Sequence, residues 1–179
     1  MRVLSATSKV LISNNVMKFN TSTFTGGALN AIASDIELID NVIVGNESDQ
    51  GGGVHLETPS GVFTWTVRNN EIRDNIGKFG AGGLNIFADK GQVTLVVEGN
   101  DIISNQATST ACTTGAQAEC GQGGGIRASQ GTGTETYTGN LIQGNKADTY
   151  AGALLLGVAA KTVVFQANRI ESNISKFTY

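Results

Sequence analysis

Apolar and polar residues alternate along this chain in short runs, and the runs recur. Around residues 64–87, Val67, Ile72, Leu84 and Ile86 fall on one side, and Thr66, Arg68, Glu71, Arg73 and Asn85 on the other. A period of two belongs to β-strands. No stretch carries the i, i+3, i+4, i+7 stripe of a helix.

Three signatures return in a fixed order. The first is Asn-x-[Ile/Met]-x-x-Asn, found as NVMKFN (15–20), NVIVGN (41–46), NEIRDN (70–75), NDIISN (100–105), NLIQGN (140–145) and NRIESN (168–173). The second is a glycine cluster followed by an aliphatic residue: GGAL (26–29), GGGV (51–54), AGGL (81–84), GGGI (123–126) and AGAL (151–154). The third is an apolar or aromatic residue three positions before each first Asn: Ile12, Leu38, Val67, Val97, Tyr137 and Phe165. Repeats of roughly 20–50 residues mean stacked units.

Three short strands per repeat predict an all-β fold, a parallel β-helix of about six coils over residues 1–179. Coils stack at about 4.8 Å, so six make a column roughly 30 Å long. Asparagine tolerates left-handed backbone angles and bonds to nearby backbone at tight corners. In register, its side chains form ladders. Two are predicted: Asn15, Asn41, Asn70, Asn100, Asn140 and Asn168, then Asn20, Asn46, Asn75, Asn105, Asn145 and Asn173. Glycine admits close backbone approach. The rival reading is a leucine-rich repeat, suggested by DIELIDNVI and TLVVEGNDI, but Gly-Gly and a further β run follow where its helix or turn belongs.

Composition narrows the function classes. Apolar residues make up 40% and charged residues 15% of 179, which suits one domain with a core rather than a disordered chain. No apolar run approaches the roughly 18 residues of a membrane helix. A net charge of −3 gives no basic surplus for nucleic acid. Residues 1–10, MRVLSATSKV, hold no apolar leader core, and ISKFTY ends the text in mid-coil. The expectation is a fragment of a longer secreted or surface protein, with end-to-end stacking on flanking coils as the competing one.

One repeat is longer than the others, by an insertion within residues 106–122 that holds both cysteines, Cys112 and Cys120. A lone pair at this spacing predicts a disulfide pinning the loop, worth roughly 2–3 kcal/mol by chain entropy. The other reading is two free thiols. With a single His in the chain, no metal site and no cofactor are expected. A disulfide implies an oxidising location, extracellular, periplasmic or cell-surface, of which the extracellular or cell-surface one is expected here.

Stacking turns matched positions into rows. After the glycines come Asn30, His55, Asn85, Arg127 and Leu155, and two residues on come Ile32, Glu57, Phe87, Ser129 and Gly157. Asn30, His55, Glu57, Asn85, Phe87 and Arg127 are therefore candidate ligand contacts, with the donors, acid/base group and aromatic face that a sugar groove uses. The plainer reading is a solvated face with an exposed histidine. A second row places Glu71 beside Asp101, either paired carboxylates, a cation site, or charges screened by Arg73 and solvent. Arg68 beside Glu98 predicts a cross-strand ion pair.

GGAL (26–29) and FQAN (165–168) resemble the Gly-Gly-[Ala/Leu/Ile] and Phe-x-x-Asn repeats of the polymorphic outer membrane protein family, whose surface passengers are right-handed β-helices. More broadly the chain is similar to pectate-lyase-like β-helix proteins. That resemblance implies a non-catalytic adhesive, glycan-binding or structural segment, with polysaccharide, a host-surface glycan or a protein as partner. The alternative it implies is a polysaccharide lyase or glycoside hydrolase fragment, but the pectin hydrolase motifs are absent: NRIES has Glu where Arg-Ile-Lys needs Lys.

Overall fold

In the computed structural model, which describes residues 1–109, 120–129, 131–157 and 161–176, the chain is an all-β parallel solenoid. Four parallel sheets run along it. The first stacks Arg2–Leu4, Leu29–Ile32, Val54–Thr58, Leu84–Ala88, Ile126–Ser129 and Leu154–Leu156. The second stacks Val10–Ser13, Ile36–Ile39, Val62–Arg68, Gln92–Glu98, Thr132–Thr138 and Lys161–Gln166. The third holds the core of each Asn-x-Ile-x-x-Asn motif, from Val16–Lys18 to Arg169–Glu171. Every pairing joins one coil to the next in parallel, consistent with a right-handed β-helix of about five turns. Among the described residues no helix is long and apolar enough to cross a membrane.

The structure adds a fourth strand per coil to the three expected. It is two residues long, from Glu47–Ser48 to Ile174–Ser175, and follows each second Asn. Two residues are too few for alternation to show in sequence. Its inward positions are small, Ser48, Gly77, Ala107 and Ala147, because the chain folds back on itself there: a Cβ on Gly77 would lie 2.1 Å from the Ala81 carbonyl oxygen.

Inward positions stack into apolar columns. Leu29, Val54, Leu84 and Ile126 form one, and Ile43, Ile72, Ile102 and Ile142 another, all buried. Trp65 fills the wider interior of its coil and donates its indole N–H to the Ser34 carbonyl at 2.8 Å. In that same column, register puts Glu135 between Leu95 and Val163. It is buried and accepts a hydrogen bond from the Tyr137 hydroxyl at 3.0 Å.

Both asparagine ladders are continuous. Along the first, the backbone N–H and side-chain amide of each Asn donate to Oδ1 of the Asn one coil on, at 2.9–3.1 Å for Asn15 to Asn41, Asn41 to Asn70 and Asn70 to Asn100. The links from Asn100 to Asn140 and Asn140 to Asn168 repeat this. The second ladder does the same through Asn20, Asn46, Asn75, Asn105, Asn145 and Asn173. From Asn41 and Asn46 onward, each side chain also reaches a carbonyl of the previous coil. Asn41, Asn70, Asn100 and Asn140 donate to Ile12, Leu38, Val67 and Val97, the residues of the third signature.

The left-handed corner falls one residue before each ladder Asn, not on it. Asn14, Asp40, Asn69, Gly99, Gly139 and Ala167 precede the first ladder with φ between 53° and 64°. Phe19, Gly45, Asp74, Ser104, Gly144 and Ser172 precede the second with φ between 53° and 66°. The corner therefore accepts many residue types, while the ladder position requires an amide with both a donor and an acceptor.

Candidate functional site

The first sheet's outer face carries the polar row. Its pairing joins Arg2 to Asn30, Asn30 to His55, His55 to Asn85, Asn85 to Arg127 and Arg127 to Leu155. Glu57 lies beside Phe87, and Phe87 beside Ser129, in the next row. From Arg2 to Arg127 is four strand steps, about 19 Å.

This row is not a solvated face. His55 is 1% exposed and Asn85 0%. Alternation directs them outward from the sheet, yet the turns ahead of the glycine clusters fold over them. Those turns stack on one another, with Gln50 N–H donating to the Phe24 carbonyl and Phe79 N–H to that of Asp49. They form a shoulder along the sheet. Between shoulder and sheet lies a cavity of about 410 Å³ lined by Thr25, Gln50, His55, Glu57, Phe79, Phe87 and Arg127. A smaller one, about 190 Å³, adjoins it through Thr25, Gln50 and Phe79. A third, about 490 Å³, continues past Phe24 and Thr25 to Arg2 and Asn30.

A hydrogen-bond chain crosses the groove floor. The Asn85 amide N–H donates to His55 Nδ1 at 2.8 Å, and His55 Nε2 lies 3.1 Å from Glu57 Oε2. With Nδ1 accepting, the proton sits on Nε2 and is donated to Glu57. That bond holds the Glu57 carboxyl below its ordinary value, against an opposing push from partial burial. Glu57 thus presents an oriented carboxylate at the groove. His55 has both ring nitrogens engaged, so it positions Glu57 rather than meeting a ligand as a free base. Asn30 donates to the Thr25 hydroxyl at 2.6 Å. Oδ1 of Asn30, Oδ1 of Asn85 and Oγ of Ser129 are buried with no hydrogen-bond donor among the described residues.

The other candidate row is built differently. Glu71 and Asp101 are register neighbours. Arg73 turns back on its own strand to bond Glu71 and reaches Asp74 at 2.7 Å, so Glu71 is part of a half-exposed ionic cluster, and Asp101 is exposed beside it. Arg68 and Glu98 pair at 2.8 Å, both 44% exposed. Among the described residues no group of three or more His, Cys, Asp and Glu gathers as a metal site would require. Cys120 is buried and disulfide-bonded, while Cys112 lies outside the described residues. Residues 106–108 and 121 remain on the column: Thr108 N–H donates to the Gly77 carbonyl and Gly121 N–H to that of Phe79.

Gln50, Phe79 and Thr25, the shoulder side of the groove, did not stand out in sequence. Their one signal is position, immediately ahead of each glycine cluster, where residue type changes from coil to coil.

Fold and groove together define a parallel β-solenoid with a walled outer face. No family model, no curated protein and no solved structure matches the chain.

Proposed function

We propose that the chain is an extracellular or cell-surface glycan-binding segment, non-catalytic, that takes a linear saccharide along the first-sheet groove. The observation that carries this reading is a groove of about 410 Å³ that sets Gln50, Glu57 and Arg127 beside Phe79 and Phe87. The polar side chains of that lining can bond the hydroxyls of a saccharide, and the phenylalanines supply apolar faces for its rings. The disulfide at Cys120 supports an oxidising location. Kinship to pectate-lyase-like proteins, and to polymorphic outer membrane protein passengers, belongs to the same proposal and rests on the shared glycine and Phe-x-x-Asn motifs.

A second reading, glycan cleavage, is favoured by the oriented Glu57 carboxylate. One experiment separates them. The chain is screened on neutral and uronate-containing polysaccharides for binding, reducing-end release and unsaturated products. Binding without product, weakened in Phe79→Ala and Arg127→Ala, is the expected result. Product formation lost in Glu57→Gln would establish the enzymatic reading instead. Absence of both would overturn the groove as a glycan site.

A further inference from the structure

The outer face of the second sheet is a separate surface from the groove floor. Its strands Val62–Arg68, Gln92–Glu98 and Thr132–Thr138 pair in unbroken register over seven residues, and Lys161–Gln166 extends the stack. Every second side chain points away from the core. One outward row is Thr64, Thr94, Thr134 and Thr162, all exposed. The next is Thr66, Val96, Thr136 and Val164.

Threonine suits strands, which explains any one of these residues. It does not explain threonine on four successive coils of this face, before the row passes to Asp35 and Lys9. The outward row of the third sheet is Val16, Val42, Glu71, Asp101, Leu141 and Arg169, with no regularity. No hydroxyl of the two threonine rows bonds to another described protein group, so all of them remain available. Threonine is also stiff about χ1, so hydroxyl and methyl hold fixed positions. The array repeats at about 4.8 Å across the coils and about 6.7 Å along the strands. At its edge Arg68 and Glu98 neutralise each other.

A rigid two-dimensional lattice of hydroxyls and methyls, its charged side chains confined to the Lys9, Asp35 and Glu37 end and to the Arg68–Glu98 edge, is complementary to an ordered water lattice. Its two repeats come close to those of water oxygens on the faces of hexagonal ice. The methyls limit how disordered water can solvate the face, and the hydroxyls replace lattice hydrogen bonds. We infer that the threonine face of the second sheet binds ice.

The test is microscopy of single ice crystals held in a solution of this chain, with the gap between freezing and melting points measured, and recrystallisation followed in parallel. The expected result is faceted crystals and a measurable gap. Thr94→Tyr and Thr134→Tyr, each placing a bulky ring in the middle of the array, should abolish both while circular dichroism is unchanged. Thr64→Lys and Thr134→Lys serve the same purpose if a tyrosine variant misfolds. Phe79→Ala, on the groove shoulder, should retain full activity. Unshaped crystals and no gap overturn the inference, as does a gap that survives the threonine variants. Glycan binding is read on a different face, so its failure leaves this result untouched.

Discussion

Asn85 donates to Nδ1 of His55 at 2.8 Å from the neighbouring coil, with both residues almost wholly buried. This contact fixes the imidazole tautomer and so hands the Nε2 proton to Glu57. His55→Ala should therefore cost about 1–3 kcal/mol, since the Asn85 amide loses its acceptor in a buried place. It should also let the Glu57 carboxyl rise toward its ordinary value. The sign follows from linkage. A carboxyl lowered in the fold stabilises above its unfolded pKa, and that contribution is lost as pH falls through the lowered folded value. Carbon-detected titration of Glu57, with urea unfolding from neutral to acid pH, should show this component in the native chain and not in His55→Ala. An unchanged Glu57 titration would refute the coupling.

The ladders make a graded prediction. Asn75 accepts from both the backbone and the side chain of Asn46, and donates to Ile43 and Asn105. Asn75→Ala strands all of these groups in a buried site, so a loss above about 3 kcal/mol is expected. Asn15, at an exposed position, gives its side-chain donors to Ser13 and Asn41 only. Asn15→Ala should cost under about 1.5 kcal/mol. Equal losses in denaturant unfolding would show that the ladder does not act by burial.

Residue identity in the sequence is informative where geometry tolerates one chemistry. A ladder position needs an amide in every coil, so Asn recurs and both columns are visible beforehand. The corner before it needs only a left-handed backbone, and Asn69, Gly99, Ala167 and Ser172 all serve, so no consensus marks it. The groove is hidden for a related reason. Alternation assigns His55 to the outside of its sheet correctly, but its burial comes from Gln50 and Phe79 on turns whose residues differ in each coil. Glu135 is the opposite case. It sits two residues before Tyr137, where Trp65 and Leu95 stand in earlier coils, so the strand period alone places it inside.

Two glycines separate steric demand from backbone demand. A Cβ on Gly52 would meet the Ile76 carbonyl at 2.4 Å and the Gly82 oxygen at 2.6 Å, both backbone of the next coil. Gly52→Ala must force coils apart, and a loss above about 3 kcal/mol or failure to fold is expected. Gly139 has φ +64 and nothing within 4 Å of its Cβ position. Gly139→Ala should cost no more than the left-handed penalty of about 1–2 kcal/mol. Gly139→Asn should cost less than Gly139→Ala, because Asn14 and Asn69 already occupy the equivalent corner. Thermal unfolding of the three variants checks the order, and a mild Gly52→Ala would contradict the close coil contact.

Tyr137 gives the alkaline counterpart of the Glu57 prediction. Its ring stands in an inward column, 5.8 Å between centroids from Phe165, and its hydroxyl donates to Glu135. Burial first, and then the Glu135 carboxylate, push its hydroxyl well above the ordinary value near 10. The neutral phenol is the form the fold prefers. Its contribution to stability is fully present below the unfolded pKa, and is lost as pH climbs from there through the folded value. Native Tyr137 should therefore resist ionisation when pH is raised past 10, and its tyrosinate absorbance should appear only together with unfolding. Tyr137→Phe removes that pH dependence but also one donor to the buried Glu135, so it should be less stable at neutral pH by about 1–3 kcal/mol. Combining it with Glu135→Leu removes both polar partners, and the double variant should recover most of that loss. Recovery would identify the pair as a polar insertion in an otherwise apolar column. If Glu135→Leu instead deepens the loss, the carboxylate itself supports the coil through its remaining contacts.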